Sequence, residues 1–530
     1  MQKSSIAYKN TGYFSKLICD YLDNKNEINS FYSHFPNKEG FAKAIADKNY
    51  TNDNRAVLVR SLLKQYEHLT FVSGTTKNNI NLLQNTNAYT VTTGHQLCLF
   101  TGPLYFIYKI VTTINLAQQL KKDFSDNHFV PVYWMATEDH DFEEVNHFVA
   151  YGKKVVWNTE QKGAVGRFLL NDIATVVEEL KIILGTAPGA EKAITLFENA
   201  YLKNKNLAEA TRYLVNELFT EYGLVIIDGD DAELKKCFSP YMHKELVGRE
   251  SENLVQKTSA ALETLNYKAQ VTAREINLFY LKDSVRERIV FANDKYEVLN
   301  TNITFSQQEL ETELNQHPER FSPNVILRPL YQEVILPNIA YIGGGGEIAY
   351  WLQLKSIFEN DKISFPVLVL RNSVLVVDKN SKDKLQKIDV SVFDLFGNTD
   401  ELIKEFTLKH ASVDFTIEKE EELIKGAYAL LHEKANKVDV TLKPSVDAEL
   451  QKQLNVLNML LQKMIKAEKQ KQEVQLNQIK NIKAKLFPVD GLQERSENFV
   501  MQYIKHDKGF IATLQQHLNP LDFNFTVLEE

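Results

Sequence analysis

Cysteine is scarce in this sequence, and long apolar runs are missing. The three cysteines, Cys19, Cys98 and Cys237, lie far apart and form no CxxC pair. This usage argues against a disulfide framework or a thiolate zinc site and is typical of a reducing compartment. No apolar stretch approaches the roughly 18 residues that a membrane span needs, and the N-terminal segment lacks the pattern of a signal peptide. The sequence therefore predicts a cytoplasmic protein.

An excess of positive charge is missing as well. Lysine and arginine number 61 against 69 aspartates and glutamates, which gives a formal net charge of −8. Proteins that hold nucleic acid or an anionic bilayer carry basic patches or runs, and the sequence shows no such run. We therefore expect small-molecule partners, with no nucleic acid and no membrane. The length of 530 residues is typical of about two to four domains.

Strand-like and helical patterns alternate before about residue 385. The first part of the chain has helical spacing and predicts an α-helical lead-in. Apolar runs that predict strands follow at 88–94, 128–136, 153–158, 223–230, 276–281, 286–292, 325–330 and 365–378. Apolar strands separated by helices are typical of a parallel sheet covered on both faces. We expect an α/β fold with a mostly parallel sheet core over residues 1–385, and insertions at about 160–220 and 230–320.

Proline and glycine become rare after this point, where Lys, Glu, Gln and Leu dominate. A 4-3-4-3 apolar spacing predicts a long helix and is formed by Leu450, Leu454, Leu457, Leu461 and Met464. We expect it to pair with residues 418–435 through a turn at Pro444, giving an α-helical coiled-coil hairpin over 386–487. Dimerisation through the apolar stripe is the alternative. Residues 488–530 regain a globular pattern and are expected to pack back on the core.

The segment TTGHQLCLFTGPLYFIYK, residues 92–109, joins a predicted strand to a predicted helix. Proline suits a first helical turn because its missing N–H would be unbonded there, so the helix is expected to begin at Gly102–Pro103. The free N–H groups at such an N-terminus bind phosphate or carboxylate, and Lys109 would add charge. An ordinary strand–helix turn is the alternative. The P-loop pattern does not match, since no GK[ST] follows.

Residues 137–147, TEDHDFEEVNH, carry five carboxylates and two histidines after a predicted strand. If strands 88–94 and 128–136 are parallel neighbours, the loops after both open at the sheet edge where ligands bind. The carboxylates would then hold Mg²⁺ on a nucleotide, orient an amine or accept a proton. His140 and His147, seven residues apart, would share a helix face. A solvated polar loop is the alternative, and the spacing disfavours a metal site made by the protein alone.

Residues 340–358, AYIGGGGEIAYWLQLKSIF, place four consecutive glycines before a predicted amphipathic helix. Gly343 to Gly346 are expected to let the backbone approach a ligand closely or to turn with positive φ, and Glu347 opens the helix. The spacing formally fits GxGxxA, but no acidic residue ends the following strand, so a dinucleotide site is rejected. A purely structural turn is the alternative.

Together these blocks resemble one known family. TGHQLCLFTGPLYFIYK, WMATEDHDFEEVNH, AREINLFYL and LPNIAYIGGGGEIAYWLQLK are similar to blocks of the bacillithiol-biosynthesis cysteine-adding enzymes, the cysteine ligases of bacterial thiol metabolism. LFPVDGLQERSEN, residues 486–498, resembles a further block, so the resemblance spans nearly the whole chain. The blocks are long and are not built from generic fold residues, which makes the match specific.

The resemblance implies a Rossmann-like core related to class I aminoacyl-tRNA synthetases, two inserted connecting segments, a coiled-coil hairpin and a homodimer. The implied reaction joins the carboxyl of L-cysteine to the amine of glucosaminyl-malate and gives bacillithiol. The HxGH signature of the synthetases is not present in the sequence. The family has glutamine where this chain has His95, which puts a catalytic role for that histidine in doubt.

The resemblance also carries over candidate site residues. The catalytic candidates lie in the second block and are Glu138, Asp139, His140, Asp141 and His147. The candidates for binding substrate or nucleotide are Gly94, His95, Gln96, Thr101, Gly102, Lys109, Asn146, Gly343, Gly344, Gly345, Gly346, Glu347 and Tyr350. No metal ligand is assigned.

An amide-forming ligase must activate a carboxylate, since a free carboxylate does not condense with an amine in water. We expect ATP with Mg²⁺ to supply the leaving group through an acyl-adenylate or an acyl phosphate, and a zinc ion for the thiol stays open. Residues 94–109 would take the phosphates, residues 138–144 would hold Mg²⁺ or ammonium groups, and His140 or Asp141 would act as base. The alternatives are another nucleotidyl-transfer or hydrolase enzyme and a non-catalytic nucleotide-binding coiled-coil protein.

Overall fold

The computed structural model describes residues 1–186 and 188–530. They divide into two units, residues 1–375 with 492–528 and residues 376–491 with 529–530. The strands are β1 Gln2–Ala7, β2 Ala88–His95, β3 His128–Met135, β4 His147–Ala150, β5 Lys153–Val156, β6 Val225–Asp228, β7 Leu278–Lys282, β8 Val285–Ala292, β9 Lys295–Val298, β10 Thr304–Phe305, β11 Phe321–Pro323, β12 Asn338–Gly343, β13 Val367–Leu370, β14 Val374–Val377 and β15 Asn524–Glu529. The α-helices are α1 Lys16–Leu22, α2 Lys38–Asp47, α3 Asn52–Tyr66, α4 Gly74–Leu82, α5 Tyr105–Asp123, α6 Phe142–Val145, α7 Ala174–Leu184, α8 Ala190–Tyr201, α9 Leu207–Phe219, α10 Ala232–Gly248, α11 Ser251–Thr264, α12 Gln307–Gln316, α13 Arg328–Ile335, α14 Gly345–Trp351, α15 Lys355–Asp361, α16 Lys379–Lys387, α17 Thr399–Lys409, α18 Glu418–Val438, α19 Lys443–Lys471, α20 Glu473–Leu486, α21 Gln493–Ser496, α22 Val500–His506 and α23 Gly509–His517.

A parallel sheet forms the centre of the first unit. Its order is β13-β12-β2-β3-β6, and every neighbouring pair runs parallel. Taken in chain order, this is the 3-2-1-4-5 arrangement of the Rossmann fold, in which the direction of winding reverses between β2 and β12. The predicted α/β fold with a Rossmann-like parallel core is therefore confirmed.

Strands β2 and β3 end together at one edge of this sheet. Ala88 lies opposite His128 at their start and His95 lies opposite Met135 at their end. Residues 88–94 and 128–136 are thus parallel neighbours, which is the condition under which the loops after both strands are expected to open on the same side. Both strands are buried along almost their whole length, which explains why their sequences are apolar rather than alternating.

The segment between β6 and β12 adds a second sheet to the first unit. This sheet has the order β10-β9-β8-β7-β11 and is antiparallel throughout. The segment after β3 adds the β4–β5 hairpin and the helices α7 to α9. Helices α7 to α9 lie within the predicted insertion at about 160–220, and the β4–β5 hairpin precedes it. A further small sheet has the order β1-β15-β14, so the lead-in starts with a strand before its helices.

Two elements of the core differ from the sequence predictions. Residues 325–330 do not form a strand but lead into helix α13, with Pro329 in its first turn. A short apolar run does not distinguish a strand from a buried helix, and the fixed φ of proline favours the helix start. Strand β12, the neighbour of β2, is missed because its apolar residues run directly into the glycines.

The second unit contains the predicted helical hairpin. Helices α18 and α19 pack against each other and are joined by a turn at Val440–Leu442, with Pro444 in the first turn of α19. The long helix predicted from residue 450 ends at Lys471, and α20 follows after Gln472. The unit begins at residue 376. Within the described ranges, no helix is long and apolar enough to cross a bilayer.

A buried ion pair fastens residues 492–528 to the parallel sheet of the first unit. Arg371 follows β13 and donates to Glu494 at 2.7 Å, and the two side chains are 4% and 0% exposed. The other oxygen of Glu494 accepts the backbone N–H of Val374 at 3.0 Å. Such a pair is tolerated in the interior because each charge is neutralised and hydrogen-bonded by its surroundings.

Removing one partner of this pair should destabilise the first unit strongly. We expect Arg371→Met to lower the free energy of unfolding by about 3–5 kcal/mol, because it leaves a buried carboxylate without its cation. Urea unfolding followed by tryptophan fluorescence measures this, since the tryptophans all lie in the first unit, at Trp134, Trp157 and Trp351.

The matched control is Arg60→Met, which breaks an ion pair with Glu233 whose side chains are 60% and 46% exposed. We expect it to cost about 0–1 kcal/mol, because solvent screens exposed pairs. A loss for Arg371→Met no larger than that of the control would contradict the role given to the buried pair.

Candidate functional site

A cavity of about 630 Å³ opens at the edge of the parallel sheet where β2 and β12 end. Its volume lies within the range of about 300–1,000 Å³ that small-molecule sites occupy. One side comes from the loops and helices that follow the parallel strands, and the other from the antiparallel sheet. The lining residues are Gly94, His95, Gln96, Tyr105, Lys109, Trp134, Met135, Ala136, Glu138, Asp139, His140, Asp141, Thr272, Arg274, Phe279, Arg286, Arg288, Pro323, Asn324, Val325, Arg328, Tyr341, Glu347 and Tyr350.

The cavity brings together many of the candidate residues from all three blocks. Those that line it are Gly94, His95, Gln96, Lys109, Glu138, Asp139, His140, Asp141, Glu347 and Tyr350. Those that do not line it are Thr101, Gly102, Asn146, His147, Gly343, Gly344, Gly345 and Gly346. The three blocks therefore meet at one site, but only part of each block faces it.

The floor of the cavity is an ion pair that spans the reversal point of the sheet. Lys109 of α5 donates to the carbonyl of Gly94 at 2.6 Å and lies 2.6 Å from Glu347 of α14. The carboxylate of Glu347 also accepts the Gly344 N–H and the Tyr341 hydroxyl, each at 2.8 Å. Burial alone would raise the pKa of Glu347, but Lys109 and these donors hold it below its ordinary value. Both partners of the pair are hydrogen-bonded, so Lys109 is not a free cation for phosphates.

A second charged cluster lies behind the acidic loop. Glu138 lies 2.6 Å from Lys235 of α10, and the same lysine lies 3.1 Å from Asp230, which pairs with Arg167 at 2.8 Å. Burial raises the pKa of the Glu138 carboxyl, and Lys235 offsets only part of that rise. A buried carboxylate with a raised pKa at the wall of a cavity accepts a proton more readily than an exposed one.

The carboxylate of the neighbouring Asp139 accepts hydrogen bonds from the loops around it. Its oxygens accept the side-chain amide of Gln96 at 2.9 Å and the backbone N–H of His140 at 2.8 Å. The Gln96 amide also donates to Glu144 at 2.8 Å. Asp139 therefore ties the loop after β3 to the loop after β2 and orients its neighbours.

His140 is held by an arginine from the antiparallel sheet. The Arg286 guanidinium donates to His140 Nδ1 and lies 4.1 Å from the centre of the Phe279 ring. Arginine has no acceptor, so Nδ1 must be the unprotonated nitrogen and the proton of neutral His140 lies on Nε2. In this arrangement His140 presents a hydrogen-bond donor to its surroundings rather than a base.

Three charged groups of the cavity keep free hydrogen-bonding atoms. Among the described residues, no hydrogen bond reaches the Asp141 carboxylate or the guanidinium groups of Arg274 and Arg288. Asp141 is exposed on the loop, Arg274 is exposed before β7, and Arg288 is half-buried on β8. These three groups keep all of their side-chain hydrogen-bonding atoms available to a ligand.

The turn at Thr101–Gly102 contacts the C-terminal segment and does not line the cavity. Helix α5 begins at Tyr105, later than the predicted start at Gly102–Pro103, and the Leu104 N–H donates to the Glu497 carbonyl at 2.7 Å. The Asn498 side chain donates to the carbonyl of Phe100 at 2.8 Å and to that of Gly102. The helix start predicted to bind phosphate is thus covered by the protein's own chain.

Gly343 to Gly346 and His147 also lie outside the lining of the cavity and contact other parts of the protein. None of Gly343 to Gly346 has a positive φ, so the predicted left-handed turn is wrong. A Cβ on Gly343 would lie 3.0 Å from the Glu347 Cβ, which shows that this glycine allows close packing beside the ion pair. His147 begins β4 and contacts Asn146 at 3.0 Å, so the predicted helix face shared with His140 does not exist.

His95 and Cys98 form a buried contact beneath the cavity. His95 Nε2 lies 3.8 Å from the sulfur of Cys98. Burial and the charge of Lys109 lower the pKa of His95 to about 3, and burial raises the pKa of Cys98 to about 12. Both groups are therefore neutral and unreactive at physiological pH. This agrees with the doubt about a catalytic role for His95.

Sequence reasoning missed most of the cations at the site. Arg286 and Arg288 lie on β8, Arg328 begins α13, and Lys235 lies on α10. One signal was available for the first two: they are two apart on a predicted strand, so they point to the same face. Arg328 and Lys235 carried no local signal, because only the tertiary fold places them beside the acidic loop.

Family models match the chain on both sides of residue 373. Residues 1–372 match the model described as "Bacillithiol biosynthesis BshC, N-terminal Rossmann-like domain". Residues 374–530 match "Bacillithiol biosynthesis BshC, C-terminal coiled-coil domain". The two matches together cover nearly the whole sequence.

Relatives named "Putative cysteine ligase BshC" align with the chain over its length. The protein of Flavobacterium johnsoniae is 47% identical over 530 residues, with 100% of both chains covered. That of Flavobacterium psychrophilum is 45% identical over 532 residues, again with 100% of both covered. That of Salinibacter ruber is 32% identical over 528 residues, covering 96% of this chain and 95% of its own.

The buried state of Cys98 predicts selective alkylation. With iodoacetamide at pH 8, Cys98 should stay unmodified because its thiol is buried and its pKa is raised to about 12, whereas the half-buried Cys19 and Cys237 should react slowly. Peptide mass spectrometry reports each site, and labelling in denaturant should modify all three. Labelling of Cys98 in the native protein as fast as that of Cys19 would contradict the assignment.

Proposed function

We propose that this chain, which belongs to the bacillithiol-biosynthesis BshC family, is a cysteine ligase that joins the carboxyl of L-cysteine to the amine of glucosaminyl-malate. The observation that carries the proposal is the cavity at the edge of the Rossmann-like sheet. It places an acidic loop, suited to ammonium groups and proton transfer, opposite arginines suited to carboxylates. Both proposed substrates carry groups of both kinds.

ATP is the proposed co-substrate that makes the cysteine carboxyl reactive. Nucleotides bind to this fold at the carboxyl ends of the strands beside the reversal point, which here is the end of β2 with Gly94, His95 and Gln96. Arg328 is the cation proposed to bind the phosphates. It reaches the cavity from α13 and donates to the Tyr350 hydroxyl at 3.0 Å. In this proposal it neutralises phosphate charge in place of the helix start at residues 102–103.

Mg²⁺ fits the site as a companion of the nucleotide. Magnesium usually takes only one or two protein carboxylates besides phosphates and water, and Asp141 has free oxygens for one such bond. Zinc needs three or four protein ligands, and the part of the chain that the structure describes holds no group of three His, Cys, Asp or Glu arranged for a metal. We therefore derive no step through zinc.

The base that frees the acceptor amine is proposed to be Glu138 rather than His140. Glu138 lines the cavity, has a raised pKa and lies beside Lys235, which stabilises its ionised form. His140 donates from Nε2 while Arg286 occupies Nδ1, so it orients a substrate oxygen. Asp141 is the second carboxylate and holds either Mg²⁺ or a substrate ammonium group.

A homodimer is proposed for the same protein. Helices α18 to α20 leave large apolar side chains exposed in the second unit, at Leu423, Leu430, Leu431, Val456, Met459, Leu460 and Val474. Exposed apolar surface of this extent on a helical hairpin is typical of a protein–protein contact.

The reaction is tested with purified protein, L-cysteine, glucosaminyl-malate and Mg²⁺-ATP, following bacillithiol, AMP and ADP by mass spectrometry. We expect one equivalent of bacillithiol for each nucleotide consumed. AMP would indicate activation through an adenylate, and ADP activation through an acyl phosphate. Nucleotide turnover without amide would favour another nucleotidyl-transfer enzyme, and nucleotide binding without turnover would favour a binding protein; either outcome contradicts the ligase.

The assignment of the base predicts a difference between two variants. Glu138→Gln should lower kcat by about 10²–10⁴ because general-base catalysis is lost, whereas His140→Gln, which keeps a donor, should lose less. The acid limb of the wild-type pH profile should lie above the ordinary glutamate range near about 4.3, since burial raises the pKa of Glu138.

Asp230→Asn is the matched control for this comparison. It removes the other carboxylate beside Lys235, and Asp230 does not line the cavity. If the control loses as much kcat as Glu138→Gln, or if His140→Gln loses more than both, the base is not Glu138.

A further inference from the structure

We infer that Arg274 and Arg288 recognise a dicarboxylate, the malate part of the acceptor substrate. The inference rests on the proposed function, because it assigns residues to one of its substrates. It concerns the side of the cavity formed by the antiparallel sheet, to which the sequence patterns assign no role.

The first support is the state of the five cations that line the cavity. Lys109 is bound to Glu347 and Gly94. Arg328 is bound to Tyr350 and Gln332, and Arg286 is bound to His140 and Ser322. Arg274 and Arg288 are different, because their guanidinium groups meet no hydrogen-bond partner in residues 1–186 and 188–530.

The second support is that both arginines belong to the segment inserted between β6 and β12. Arg288 lies on β8 opposite Phe279 of β7, and Arg274 precedes β7 by a few residues. Both line the cavity from this inserted segment, whereas the acidic loop lines it from the parallel sheet. An acceptor with an amine at one end and two carboxylates at the other matches this division of charge.

The chemistry of the side chain selects the ligand class. A guanidinium presents parallel N–H groups that bind a carboxylate with two hydrogen bonds, so two unpaired arginines suit two carboxylates. Phosphates bind arginine as well, but nucleotides in this fold lie at the ends of the parallel strands. A dicarboxylate is therefore the ligand that the inserted sheet favours.

Binding of L-malate alone tests the inference without any ligase activity. Full-length protein is mixed with millimolar L-malate, and melting temperature and calorimetric heats are recorded for wild type, Arg274→Met, Arg288→Met and the double variant. We expect malate to stabilise the wild type, each single variant to bind it about 10- to 100-fold more weakly, and the double variant to show no binding. Lys295→Met is the control, since it removes an exposed cation of the same antiparallel sheet on β9.

Kinetics with two acceptors provide the second measurement. In the variants KM for glucosaminyl-malate should rise about 10- to 100-fold for each arginine, while kcat/KM for methyl glucosaminide, which lacks malate, stays at the wild-type value. Arg288→Lys keeps the charge but loses the paired donors. Its KM for glucosaminyl-malate should lie between those of the wild type and Arg288→Met. If one methionine variant folds poorly, the other methionine variant and Arg288→Lys still test the inference.

The outcomes separate the inference from the function on which it rests. Unchanged malate binding in the double variant, or a rise in the KM of ATP instead of the acceptor, would overturn the dicarboxylate assignment while leaving the ligase intact. A wild-type protein that makes no amide but binds malate through both arginines would overturn the ligase and keep the dicarboxylate site. Equal losses in Lys295→Met would show a general charge effect and overturn the inference.

Discussion

The site depends on one ion pair at the floor of the cavity, buried Lys109 with half-buried Glu347. It joins the helix that follows β2 to the helix that follows β12, across the point where the parallel sheet reverses its winding. Removal of the Glu347 carboxylate would leave the buried Lys109 without its partner, at a cost of about 3–5 kcal/mol. Because Lys109 also holds the Gly94 carbonyl, the pair sets the end of β2 and thereby the floor on which the cavity is built.

The same pair explains how charge is distributed around the cavity. Lys109 and Glu347 neutralise each other, so they fix geometry and leave binding to other groups. The acidic loop then contributes Glu138, tuned by its burial and by Lys235, and Asp141, which keeps free oxygens. The inserted sheet contributes the opposing arginines. Fixed groups thus lie beneath the cavity and available groups lie at its sides, which keeps the reacting atoms positioned without losing ligand contacts.

Much of the fold follows from local patterns, while the site follows only in part. The apolar strands and the helical hairpin can be predicted because they rest on short-range periodicity. The pairing of residues 88–94 with 128–136 cannot, because it depends on contacts between distant parts of the chain. The sequence at Thr101 and Gly102 does not reveal what covers the turn, because a helix start has the same pattern whether a ligand or Asn498 lies against it. Arg328 and Lys235 could not be assigned to the site from the sequence, since only the folded chain brings Lys235 to Glu138 and Arg328 to the cavity.

The division between core and insertion bears on how such a site acquires specificity. The parallel sheet supplies the edge where nucleotides bind in this fold class, and that edge is shared by many chemistries. The antiparallel sheet is added between β6 and β12 and faces the same cavity, so its side chains can change without disturbing the ion pair beneath. Arg286 illustrates the connection between the two parts: it lies on the insertion, stacks on Phe279 and fixes the tautomer of His140 on the core. In the proposed function, this contact couples recognition by the insertion to the groups of the acidic loop.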